Sequence, residues 1–181
     1  MKNIKYEQLS QDIKKEIDAH YKKINEKQEK IDIKDTMRIW FDEKFDDWVN
    51  KKYCKDVNSN KRKHFRLNIE IPVRIVETLI ESSDENNGEE LIGTMVNISK
   101  GGLYFKSEKS FEISSIIMVK IDLTKIDKDL NNIEALAMIV RSEKIEDDKY
   151  GIGVVFSSIY EEQKENLDLF IFKNVAFHMY S

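Results

Sequence analysis

The chain has 181 residues and a formal net charge of −4, and charged side chains make up 35% of it. That length suits one ordinary domain plus a smaller element, and the acidic balance argues against a general nucleic-acid binder. A lone cysteine, Cys54, excludes an internal disulfide and any thiolate cluster. The three histidines, His20, His64 and His178, have no metal-ligand spacing. No apolar run approaches the roughly 18 residues that cross a bilayer. The opening residues, Met1 to Glu7, lack the apolar core of a signal peptide. A cytoplasmic protein with no membrane insertion is expected.

Residues 1–57 contain no Gly and no Pro and are dense in Lys, Glu, Asp and Ile. Ile13, Ile17, Ile24 and Ile31 recur at helical spacings with charge between them, a thin stripe for one helix. Asp35 is placed to cap a second helix through its side-chain oxygen. Met37, Trp40, Phe41, Phe45, Trp48 and Val49 then form a broad apolar face. Both tryptophans lie on it, and that much aromatic area must be buried, within the chain, in an oligomer or on a partner.

Asn58-Ser59-Asn60 breaks the helical pattern and reads as a linker. It runs into Lys61-Arg62-Lys63-His64-Phe65-Arg66. From there the period changes to two, with Ile69, Ile71, Val73 and Ile75 alternating with polar partners. Pro72, inside this run, suggests an edge position or a bulge. A polar turn over 81–90 leads to a short strand, Leu91 to Val96, then the turn Asn97–Gly102 and the strand Leu103-Tyr104-Phe105. Ile117, Val119, Ile121 and Leu123 alternate again. Residues 135–141 and 150–156 make two more strands, joined by the turn 146–149. Several short strands with polar turns indicate an antiparallel sandwich or barrel. Ser158 and Glu161 fit a capping box. It opens a last helix with Leu167, Phe170, Ile171 and Val175 on one face, placed to cover an open end of the barrel or to build an oligomer contact.

Two motifs carry the chemistry. Arg62 and Arg66 form an RxxxR pair, and in extended chain that spacing of four puts both side chains on one side. An arginine fork binds phosphate oxygens bidentately, takes guanine O6 and N7, and stacks on a purine face. Lys61 and Lys63 add positive potential. Asn97, Ser99 and Gly102 form an NxSxxG pattern. Asn presents a carbonyl and an amide together and can read a base edge, and Ser can bond a base or its own backbone. Gly102 permits a backbone approach closed to other residues, and Gly101 adds freedom.

In this order and separation the two motifs resemble the signature of the PilZ family, cytoplasmic bacterial receptors for cyclic di-GMP. Ala137 to Arg141 resembles that family's penultimate strand, and Tyr150-Gly151-Ile152-Gly153-Val154-Val155-Phe156 its closing strand. The resemblance covers about residues 61–172. It implies a mainly β fold, a six-stranded antiparallel barrel with a C-terminal helix, here preceded by a helical segment. The expected organisation is a helical segment 1–57, a flexible arm 58–66 and the barrel with its helix over 67–181. The resemblance implies cyclic di-GMP as the ligand, held by Arg62, Arg66, Asn97, Ser99 and Gly102, with minor contacts from Lys61, Lys63 and Gly101. Asn97 stands where Asp is frequent in the family, which removes a negative charge near a dianionic ligand.

The expected function is a cyclic di-GMP receptor whose arm orders on binding and reorients the N-terminal helices, changing contact with an unidentified protein partner. The alternative is a PilZ-like interaction module with weak or no nucleotide binding. A small barrel for single-stranded nucleic acid would need a basic groove with exposed aromatics, which this chain lacks. No catalytic residue, metal site or cofactor is assigned, and a homo-oligomer is left open.

Overall fold

The computed structural model describes residues 9–26, 31–53, 63–77, 90–146 and 148–178. Lys61, Arg62, the linker at 58–60 and the polar turn up to residue 89 lie outside them. The chain divides into two compact units, Met1–Phe65 with Val175–Ser181, and Arg66–Asn174.

In the first unit, helix α1 (Gln11–Asn25) is capped by Ser10, whose hydroxyl accepts from the Ile13 amide. Ile13 and Ile17 of its stripe are buried. Helix α2 (Ile33–Tyr53) packs on α1. The residue that caps α2 is Asp32, not Asp35. Asp32 Oδ1 accepts from the Asp35 amide at 2.8 Å, and its carbonyl accepts from the Thr36 amide at 3.0 Å. Asp35 falls in the first turn, where its charge still complements the helix dipole. The apolar face of α2 is buried at Met37, Trp40, Phe41, Phe45 and Val49. Its rings form a connected set. Phe41 and Phe45 lie 4.5 Å apart between centroids, and Trp40 meets Trp48 edge-on at 5.8 Å.

The second unit is a closed antiparallel barrel of six strands. They are β1 (Leu67–Glu77), β2 (Glu90–Ser99), β3 (Gly102–Ser107), β4 (Ile116–Ile121), β5 (Ile133–Glu146) and β6 (Lys149–Ile159). The order around the barrel is β1-β2-β3-β6-β5-β4, so no edge is left open. Alternation sends Val73, Ile75, Met95, Phe105, Val119 and Ile139 inward to full burial. Phe111, from the β3–β4 connection, meets Phe105 edge-on at 6.1 Å. Pro72 sits on β1 beside the irregularity between Asn68 and Ile71. The ladder to β4 begins only at Arg74, so the missing N–H of Pro72 costs no bond in it.

Helix α3 (Glu161–His178) follows directly. β6 extends through Ile159, so Ser158 belongs to the strand and the capping box does not form. The Tyr160 carbonyl instead accepts from the Lys164 amide. The expected single apolar face of α3 is wider than the sequence suggested: residues 167–172 are all buried, Asp168 included. Among the described residues no helix is long and apolar enough to cross a membrane.

Lys173 of α3 donates to Asp127 Oδ2 at 2.6 Å, tying the helix to the β4–β5 connection. That bond is the main cause holding the Asp127 carboxyl below its ordinary pKa. A depressed carboxylate stabilises the fold above its unfolded pKa and loses that contribution as pH falls through the folded value. Lys173→Met should therefore lower the melting temperature at pH 7, and the gap to wild type should close below about pH 4. Thermal melts across that range check it.

Candidate functional site

The residues of the second motif sit on a tight hairpin, not on a long turn. Asn97 and Ser99 are the end of β2, Gly102 is the start of β3, and only Lys100 and Gly101 lie between. Ser99 is buried, and its hydroxyl donates to the Gly102 carbonyl at 3.1 Å and accepts from the Gly101 amide at 3.3 Å. Of the two roles open to Ser99, this structure shows the backbone one. Gly102 packs against β6 so closely that an added Cβ would collide with the Val154 carbonyl. Its requirement is a close approach between strands.

Asn97 is half-exposed and points outward because of a bulge. Met95 pairs with Phe105, but Asn97 pairs with Tyr104, which leaves Val96 as the extra residue. Strict alternation would turn Asn97 into the barrel. The bulge places it on the outer face instead, a common device beside binding sites.

The first strand runs beside this hairpin. Leu67 pairs with Ile98 and Asn68 with Asn97. Arg66 immediately precedes Leu67, the first residue of β1. Arg66 is exposed and Lys63 is exposed. Arg62, the other half of the pair, lies outside the described residues, as does Lys61.

Sequence reasoning missed the anchor of this segment. Asp46 of α2 accepts twice from it. The Phe65 amide donates to Asp46 Oδ1 at 2.8 Å, and His64 Nδ1 lies 3.0 Å from Asp46 Oδ2. Two contacts from one helix carboxylate hold the stretch between the arginines. The only hint in the sequence was an acidic residue on an amphipathic helix, which is too common to signal anything.

A family model for the PilZ domain matches residues 60–173. This chain belongs to the PilZ family. Its PilZ domain is similar in fold to Escherichia coli YcgR in complex with c-di-GMP, at 12% identity and a TM-score of 0.51, over 66% of this chain and 48% of that one. It is similar to the K. pneumonia MrkH–c-di-GMP complex at 10% identity and a TM-score of 0.50, over 66% and 53%. Bacillus subtilis inhibitor of motility (MotI/DgrA) shares 20% identity at a TM-score of 0.49, over 63% and 51%. The matched part spans about half the length of these three proteins. None of the curated proteins matches this chain in sequence.

Proposed function

We propose that this chain is a receptor for cyclic di-GMP that converts nucleotide binding into a change at its N-terminal helices. The observation that carries the reading is the register of β1 on β2 within a PilZ barrel. It puts Leu67 opposite Ile98 and Asn68 opposite Asn97, so the chain that follows Arg66 runs beside the hairpin that carries Asn97, which supports a site shared by the two motifs. Two proteins similar in fold, YcgR and MrkH, are complexes with c-di-GMP, which supports the ligand class.

The roles follow from chemistry. Arg62 and Arg66 grip phosphate oxygens and stack on the bases, since a guanidinium does both. Asn97 reads a guanine edge with its paired donor and acceptor. Ser99 and Gly102 shape the hairpin that holds Asn97 in place. Lys63, with Lys61, raises the local potential and speeds encounter with a dianion.

Asp46 supplies the route to the helices. It holds His64 and the Phe65 backbone, between the two arginines, on α2. When the ligand fixes both arginines, the segment held by Asp46 is anchored at its two ends, and ordering backbone costs about 1–2 kcal/mol per residue. The phosphate contacts offset that cost. The constraint reaches α2 through one carboxylate, and the altered helices change contact with a protein partner.

Amide hydrogen exchange with and without cyclic di-GMP tests this route. Protection should rise over residues 58–66, over the hairpin 97–102 and on α2 around Asp46. Asp46→Ala should keep the first two gains and lose the third. Unchanged α2 protection in the saturated wild type would rule out the route while leaving binding intact.

A further inference from the structure

An antiparallel barrel gives one side of each strand to the core and the other to water, so its outward positions are normally polar. Strand β5 departs from that rule. Ile133, Ala135, Ala137 and Ile139 point into the barrel and are buried. The outward positions that alternate with them are Glu134, Leu136, Met138 and Val140, and only the first is polar. Strand pairing carries the apolar strip sideways. Met138 lies beside Ile116 of β4 and Val155 of β6, and Leu136 lies beside Met118 of β4. Leu136, Met138, Val140 and Val155 are 36% to 47% exposed, and Ile116 and Met118 are half-buried.

Single exposed aliphatic side chains are ordinary on a protein surface. Six of them in one patch across three strands are not, and such a patch marks a contact. At the usual strand dimensions it runs roughly 13 Å along β5 and about 10 Å across.

The two ends of the strip carry opposite charges. Glu134 closes one end and Arg141 the other. Strict alternation would send Arg141 inward. Ile139 pairs with Val154 but Arg141 pairs with Gly153, so Val140 is an extra residue, and both Val140 and Arg141 are exposed. Lys120 lies 3.5 Å from Glu134, and Glu143 accepts from Arg141 at 2.7 Å. Neither pair is buried, and a carboxylate and a guanidinium each have room for a second partner.

We propose that a second copy of this chain docks on this face as a two-fold dimer. An axis that lies in the face and crosses β5 at Met138 stacks β5 antiparallel on its copy. Met138 then meets Met138 of the copy, Leu136 meets Val140, and Glu134 meets Arg141 at both ends. The two charged residues stand at comparable distances from Met138, roughly 13 and 10 Å along the strand. An axis along β5 would instead set Glu134 against Glu134 and Arg141 against Arg141, so charge selects the antiparallel stack. A two-fold contact requires one patch to match itself. That match assigns the face to a second copy rather than to an unrelated protein. The apolar centre is small beside the ~800 Å² per partner of a standard interface, so the dimer is a reversible one. The face uses neither motif, and the proposal does not depend on nucleotide binding.

Sedimentation velocity of the full chain, from about 1 µM to about 0.5 mM, reads the association. The sedimentation coefficient should rise with concentration towards that of a dimer. Met138→Glu, at an outward position, should hold the chain monomeric with an unchanged melting temperature. Glu134→Arg and Arg141→Glu should each weaken association about tenfold, because each sets two like-charged pairs across the axis. The two substitutions together should restore it. A wild type that stays monomeric across that range overturns the proposal and leaves the face to a different protein. Association that survives Met138→Glu overturns it as well, since the contact then lies elsewhere. A double variant no stronger than the single ones overturns the antiparallel two-fold arrangement.

Discussion

Replacing Arg66 by alanine is expected to weaken cyclic di-GMP binding by roughly 10- to 150-fold. A charge-assisted hydrogen bond to phosphate contributes about 1.5–3 kcal/mol, and Arg66 immediately precedes β1, whose Asn68 pairs with Asn97 of the hairpin. Arg62→Ala should fall in the same range, since both arginines flank the segment held by Asp46. The loss should have an electrostatic signature. Removing a guanidinium that meets a phosphate should flatten the dependence of affinity on salt, because screened attraction is what salt weakens. Asn97→Ala should weaken binding with little change in that slope, because its amide is neutral. Titration at several ionic strengths compares the three variants. Equal slopes for Asn97→Ala and Arg66→Ala would overturn the division between phosphate and base contacts.

The largest effect on the fold is expected at Gly102. A Cβ there meets the Val154 carbonyl and stands 3.0 Å from its carbon, all of it backbone. Backbone cannot rotate away as a side chain does, so β3 and β6 must separate where the YGIGVVF strand pairs with the hairpin. Overpacking typically costs about 1–3 kcal/mol, and Gly102→Ala should reach the upper part of that range or pass it. Urea unfolding measures it. Binding should fall in parallel, because the displaced hairpin carries Asn97 and Ser99. A variant of wild-type stability that has lost binding would instead make Gly102 a direct ligand contact.

Most of the barrel was legible because its strands alternate. Val73 and Ile75, or Ile117 and Val119, face one way by period alone, and the Asn97–Gly102 pattern located a hairpin. What the period does not show is where one residue breaks it. Val96 and Val140 are apolar and look like ordinary strand positions, yet as bulge residues they decide that Asn97 and Arg141 face outward. Whether a strand carries a bulge depends on the partner strand's register, which sequence alone does not reveal. Ser158 was read as a helix cap because its spacing to Glu161 fits one, but pairing with Leu136 kept it in β6. Asp32 outcompeted Asp35 for the α2 cap because its own geometry, one turn earlier, satisfies the free amides. The candidate site was legible as two motifs. The contact of Asp46 with His64 and Phe65 joins residues far apart in the chain and left no local pattern.

The central claim is that this PilZ domain binds cyclic di-GMP through its arginine arm and its β2–β3 hairpin. Calorimetric titration of the full chain with cyclic di-GMP, with cyclic di-AMP as the control that keeps the phosphates and changes the bases, tests it most directly. Saturable binding of cyclic di-GMP and much weaker binding of cyclic di-AMP are expected. No heat with cyclic di-GMP would contradict it and favour a PilZ barrel that works by protein contacts alone.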